Sequence, residues 1–268
     1  MAPRGTTPPA ARVRYPASLQ TRLTVALLAL AAGACPRSGS DAGPADAGPY
    51  PPDLSCLGAP PPTTAPDPVP VAASIAEGQT FTPLAGAILE MRLRSDGTVL
   101  DSGTADASGD VLLALASGGA PVDAYGVALA AGYTTLHLHP FRPFAGDDPT
   151  IPFALLTPPQ HAAQQQAIYG TTSDPGLGLV RITVVDCDNV PIEGATVTFA
   201  PEPGAVFYDA ESGPADPLRT STTSAGTLMA FDVPPGDLTV SAHYQGTDLP
   251  PRTARADAGV FVALGIAP

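Results

Sequence analysis

Between Leu179 and Ala200 the chain reads LVRITVVDCDNVPIEGATVTFA. Val180, Ile182 and Val184 alternate with Arg181, Thr183 and Val185, a period of two that gives a strand one apolar face. Asp186 to Gly194 is rich in acids, Asn, Pro and Gly, the residues that turn a chain. Ala195, Val197 and Phe199 then alternate with Thr196 and Thr198. The pattern predicts two strands around a turn, paired antiparallel and buried on one face.

The same writing occurs earlier. Pro191 to Phe199 (PIEGATVTF) has a counterpart in Pro83 to Met91 (PLAGAILEM), so that Gly86 matches Gly194 and Ala87 matches Ala195. Gly109 likewise matches Gly226 in a later small-residue turn. Around the first copy, strands are predicted at Ala87–Arg94, Thr98–Thr104, Val111–Leu115, Tyr125–Ala131, Thr134–His139 and Ile151–Leu156. Around the second, they are predicted at Thr220–Thr223, Thr227–Val233, Leu238–His243 and Gly259–Ile266, with a long loop over Pro201–Pro217. Between the copies TPPQHAAQQQAIYG departs from the strand pattern: Thr157 as N-cap, Pro158 at N1 and Gly170 past the end predict a short connecting helix. Two copies imply tandem modules and not a solenoid.

The N-terminus has a different grammar. Residues 1–22 are basic and free of acids, and Leu23–Ala34 is an apolar run of 12 residues, too short for a hydrocarbon core of about 30 Å. A basic start, a short apolar run and a small-residue end make a secretory signal peptide. Cys35 follows at once, which resembles a bacterial lipobox with Ala32 where Leu is commoner; Cys35 is then the lipidated first residue. Residues 35–69 are dominated by Pro, Gly, Ala, Asp and Ser, a disordered, semi-rigid tether. The expected organisation is signal peptide 1–34, tether 35–69, first β-sandwich 70–157, helical linker 158–175 and second β-sandwich 176–268.

Composition narrows the function classes. With 34 Pro and 27 Gly, and no Trp, the cores are aliphatic and the strands short. Lys is absent; four of the 12 Arg precede Cys35 while all 25 acids follow it, leaving the mature chain at a net −17. Such a surface repels nucleic acid and anionic head groups. The expected partners are the membrane, through the N-terminal lipid, and an unknown protein or glycan.

The second unit resembles the carboxypeptidase regulatory-like domain, a transthyretin-like (prealbumin-like) Greek-key β-sandwich. The residues that carry the resemblance are Asp186 to Val197, Thr222 to Leu228 and Pro234 to Val240. The first unit matches less closely: Gly118-Gly119-Ala120-Pro121 stands where the family has Pro-Pro-Gly, and Leu136–Pro152 is an insertion. The resemblance implies an all-β fold of two tandem sandwiches with no catalytic residues of its own. It also implies an exported lipoprotein of the cell envelope, anchored in the outer membrane or held at the periplasm or cell surface.

Candidate chemistry is sparse. His137 and His139 share one face of a strand, and His-x-His on a strand occurs in zinc sites, which need a third or fourth ligand; His161, Asp147 and Asp148 are the available additions. The competing reading puts both imidazoles on the solvent face, with Leu136 and Leu138 in the core. Asp186, Asp188 and Asn189 offer oxygen ligands to Ca²⁺, or simply cap their own turn. No nucleophile elbow, P-loop or His-Glu-x-x-His occurs, and no catalytic residue or cofactor is assigned. Tyr125, Tyr133, Tyr169, Tyr208 and Tyr244 are scattered and form no evident sugar platform. Once Cys35 is lipidated, Cys56 and Cys187 remain, an even number in an oxidising compartment. They either bridge the tether to the second unit, stay free, or pair between molecules. The leading function is a non-enzymatic surface binding, adhesion or scaffold module. The alternatives are a carbohydrate-binding accessory protein and a metal-dependent hydrolase built on His137 and His139.

Overall fold

The computed structural model describes residues 51–146 and 149–268. The signal peptide, Cys35, the first part of the tether, Asp147 and Asp148 lie outside the described residues. In chain order the first strands are β1 (Val69–Glu77), β2 (Ile88–Leu93), β3 (Val99–Thr104), β4 (Asp110–Leu115), β5 (Ala124–Leu129), β6 (Leu136–His139) and β7 (Ile151–Leu155). Helix α1 (Pro158–Tyr169) follows, and then β8 (Gly178–Val184), β9 (Thr196–Ala200), β10 (Ala205–Tyr208) and β11 (Thr227–Val233). The chain closes with β12 (Gly236–Tyr244), β13 (Thr247–Asp248), β14 (Arg252–Ala256) and β15 (Phe261–Ile266). The fold is all-β apart from the helix. Among the described residues no helix is long and apolar enough to cross a membrane.

An eight-stranded sheet, in the order β10-β11-β8-β15-β6-β5-β2-β3, runs through both modules. Its middle seam is β15 against β6, a parallel pairing of Phe261 with Leu136 and of Leu264 with His139. On its other side β15 pairs, again parallel, with β8. A three-stranded sheet β4-β1-β7 completes the first sandwich, and β12 with β9, β13 and β14 completes the second.

The two cores lie on opposite faces of the shared sheet. Successive side chains of a strand point to opposite faces, and β15 shows the division directly. Val262, Leu264 and Ile266 belong to the second core with Val180, Ile182 and Leu238. Phe261 and Ala263, on the other face, border the first core of Ile75, Leu89, Met91, Leu113 and Phe153.

The internal repeat is written in backbone hydrogen bonds. Ile75 N donates to Gly109 O and Val184 N to Gly226 O, both at 2.8 Å. Leu84 N donates to Ile75 O at 2.9 Å, and Ile192 N to Val184 O at 3.0 Å. Gly109 and Gly226 take φ of 79° and 63°, and a Cβ on either would sit 2.4 Å from Ile75 O or 2.6 Å from Val184 O. Glycine is therefore required at both places on two counts, left-handed backbone and close approach.

Two expectations change. β8 and β9 do not pair: β8 lies between β11 and β15, while β9 pairs with β12 in the opposite sheet. The Asp186–Gly194 segment is an arch from one layer to the other, not a hairpin, because alternation specifies the buried face and not the neighbouring strand. In the second module Thr220–Thr223 forms no strand, whereas Ala205–Tyr208, inside the segment read as loop, does. Those four residues are a short apolar run that pairs with β11.

Helix α1 covers the face of the shared sheet left open beside the first core. Its start is tied by Thr157 N donating to Gln160 Oε1 at 2.9 Å, and it ends at Gly170 with φ of 69°. Tyr169 packs on Phe207 and Phe231 and donates its hydroxyl to Asp209 Oδ1 at 2.7 Å. His161 meets Phe261 edge-on at 5.0 Å.

Residues 51–68 contain no strand, yet they bond to both modules. Asp53 exchanges bonds with the arch, donating N–H to Asp186 Oδ2 at 3.1 Å and accepting Cys187 N–H at 2.9 Å. Leu54 packs against the second core. Further along, Ala65 N donates to Gly119 O at 2.9 Å and Asp67 Oδ1 accepts Ser117 N–H at 3.0 Å.

Candidate functional site

A cluster of histidine, tyrosine and arginine side chains sits beside the seam of the shared sheet. Leu136 and Leu138 of β6 face the first core. The alternate positions, His137 and His139, therefore share the opposite face, where Val127 of β5 is the register partner of His137 and Tyr125 lies against His139. That face would be solvent in an isolated first module. Here β14 of the second module approaches it, and His137 and His139 are only 8% and 2% exposed. The alternation thus separates histidine from leucine as expected, but the solvent side of β6 is covered. The cover comes from a strand more than a hundred residues away in sequence.

Tyr125 stacks on His139 with ring centroids 4.4 Å apart and lies tilted against His137 at 5.7 Å. Arg94, just beyond β2, reaches across the cluster. Its Nε donates to Asp123 Oδ1 at 2.8 Å, Nη1 to His139 Nδ1 at 2.9 Å and Nη2 to Pro140 O at 3.4 Å. Nη1 also lies 3.5 Å from Thr253 O of β14, so one side chain touches both modules. A guanidinium only donates. His139 Nδ1 must therefore accept, and its ring proton resides on Nε2. Among the described residues His139 Nε2, His137 Nδ1 and Arg252 Nε are buried without a hydrogen-bond partner, a concentration of unmet polar atoms at one seam.

Burial sets the protonation. It holds the His139 imidazolium well below the usual histidine range, with the Arg94 charge adding to the effect. Burial also lowers His137 and His161, and it raises the Tyr125 hydroxyl. Arg252 is lowered by burial and by the neighbouring Arg94 charge. At neutral pH the cluster is two neutral imidazoles between two guanidiniums.

This arrangement suits a cation poorly. Arg94 occupies the His139 lone pair, and no group of three or more His, Cys, Asp or Glu that could hold a metal is present among the described residues. His161 lies on α1 against Phe261, a residue of the opposite sheet face, and Asp147 and Asp148 are outside the described residues. The arch acids are also engaged: Asp186 Oδ1 accepts the N–H groups of Asp188 and Val190 at 2.9 and 2.8 Å. Asn189 Oδ1 accepts Arg142 Nη2 at 3.0 Å. The Asp186 bonds cap their own turn, whereas the Arg142–Asn189 bond ties the arch to the residues after β6. His243 locks the β12–β13 turn through Asp248 Oδ1 at 2.9 Å.

Cys56 and Cys187 are joined in a disulfide with Cα atoms 5.8 Å apart. Of the five tyrosines considered for sugar stacking, Tyr125 and Tyr208 are buried and the other three partly so; the Tyr208 hydroxyl accepts Val197 N–H at 3.0 Å. A stacked-sugar platform is not formed by them. An open groove of about 570 Å³ lies between β9 and β10, lined by Val197, Phe199, Glu202, Pro203 and Val206 among others.

No known family matches the chain, and no curated protein matches it. Solved structures with some likeness include the Bacillus anthracis TIE protein, at 13% identity and a TM-score of 0.23 over 74% of this chain. The chain spans 33% of that protein's length. The shaft pilin SpaA of Lactobacillus rhamnosus GG shows 12% identity and a TM-score of 0.24, covering 75% of this chain and 98% of the pilin. The major pilin subunit BcpA of Bacillus cereus shows 10% identity and a TM-score of 0.24, covering 74% and 99%. At such scores no function passes from those proteins to this chain.

Proposed function

We propose that the chain is an exported, non-enzymatic lipoprotein that presents two carboxypeptidase-regulatory-like sandwiches at the cell envelope as a binding, adhesion or scaffold element. The observation that carries this reading is the Cys56–Cys187 bridge. A structural disulfide belongs to an oxidising compartment, which agrees with a basic, then apolar, N-terminus ending at Cys35. The polar side chains support a structural role as well. Asp186, Asp209, Arg94 and Glu77 are each consumed by bonds that hold elements together. With a net −17 after Cys35, the partner is a protein or glycan and not a nucleic acid.

The test is fractionation of cells expressing the full-length protein and its Cys35→Ser variant. The variant is expected in the soluble exported fraction while the parent stays with membranes. A variant that remains wholly with membranes would overturn the lipid anchor.

A further inference from the structure

The buried histidines of β6 have no place in an adhesive or scaffold role, yet they sit where the two modules meet. We propose that His139, with His137 beside it, is an acid-sensitive latch between the modules. A proton arriving from solvent on His139 Nδ1 replaces the Arg94 hydrogen bond by a contact between two cations and frees β14 from β6.

The geometry makes the replacement unavoidable. His139 Nδ1 is the acceptor for Arg94 Nη1 at 2.9 Å, and a protonated imidazole has no acceptor left. Both rings are buried, so the new charge would find little solvent. Among the described residues, the charged and titratable groups around the pair come from three places. From β2 and its end come Glu90, Arg92 and Arg94; from β5 and the residue before it, Tyr125 and Asp123. From β14 and beyond come Arg252, Arg255 and Asp257, while β15 contributes only the apolar Val262 and Leu264. Glu90 pairs with Arg92, Asp123 with Arg94 and Asp257 with Arg255. Each of these acids is thus already paired with an arginine, and Arg252 adds a further positive charge beside His139. Asp257 and Glu90 favour a charge on His137, but the charged neighbours of His139 are Arg94 and Arg252, both of which oppose an imidazolium there. Since Arg94 is the side chain that also reaches Thr253 O, its displacement acts directly on the contact between modules.

The sign follows from linkage. A histidine held below its ordinary 6.5 in the closed form binds a proton more readily once the seam opens. The closed seam is therefore fully favoured above about pH 6.5 and loses ground as pH falls below it.

Hydrogen exchange of the full-length protein at pH 7.5 and 5.5, corrected for intrinsic rates, tests the latch. Opening of β14 and β6 is expected to rise about tenfold per responsive histidine at one unit below pH 6.5, relative to β1 and β4. In a His137→Asn/His139→Asn variant, whose amides cannot titrate, the rise should vanish, whereas His161→Asn should leave it intact. Equal acceleration in parent and double variant, no acceleration in the parent, or loss of the response in His161→Asn each overturns the proposal. Should the double variant not fold, imidazole NMR of the parent decides. An Nε2–H tautomer of His139 at pH 7.5 and a titration midpoint below 6.5 support the latch; an Nδ1–H tautomer or an ordinary midpoint overturns it.

Discussion

Replacing Cys56 and Cys187 together by Ser is expected to destabilise the protein by roughly 2–5 kcal/mol. The bridge closes a loop of 131 residues, and the unfolded chain loses most entropy when the crosslinked ends are far apart in sequence. Using both serines avoids a stray thiol that could pair between molecules. The strap itself adds little that survives the cut. Asp53 makes two hydrogen bonds to the arch and Leu54 covers part of the second core, contributions of about 1 kcal/mol each that must also order the strap. Denaturant unfolding of the double variant beside the oxidised parent measures the difference. An unchanged midpoint would mean that these noncovalent contacts alone hold the ends together.

Phe153→Ala is expected to cost about 3–5 kcal/mol. Phe153 is fully buried on β7, and the space for its ring is made by Gly126 of β5: a Cβ on Gly126 would lie 2.6 Å from Phe153 Cζ. The pair is complementary, so the two positions should not behave additively. Gly126→Ala alone should destabilise by forcing the ring out of place. In a Phe153→Leu background, where the ring is gone, the added methyl should cost much less. Melting the four proteins of that cycle gives the coupling. Strict additivity would show that the core around β5 yields instead of resisting.

The parts of this architecture visible in the sequence are those decided locally. Pro83-x-x-Gly86-Ala87 and Pro191-x-x-Gly194-Ala195 mark equivalent arches. Gly109 and Gly226 mark equivalent close approaches, because left-handed backbone packed on a carbonyl leaves glycine alone. Helix α1 was readable from Thr157, Pro158 and Gly170, since caps are set by single residues. Strand partners were not readable. Val180, Ile182 and Val184 announce a buried face, but the same alternation serves a hairpin with β9 or the pairing with β11 and β15 that actually occurs. β10 was hidden by the Pro- and Gly-rich sequence around it. The histidine cluster was half visible: His137-x-His139 predicts a shared face. Its burial depends on Arg252 to Ala256, and its tautomer on Arg94, contacts between residues 45 or more apart that no local spacing encodes.

The sulfur bridge also decides how the molecule would carry tension. Every residue of β1 to β8 lies inside the covalent ring that Cys56 and Cys187 close. A pull applied between the N-terminal end and the C-terminus crosses from Cys56 to Cys187 through the two sulfurs, so the backbone of the first sandwich is out of the covalent line of force. On the C-terminal side of the bridge the stretch after Cys187 pays out, beginning where β15 is held between β6 and β8. The 131 residues of the ring, about 430–470 Å of fully extended chain, stay coiled whatever the force until the bridge is reduced.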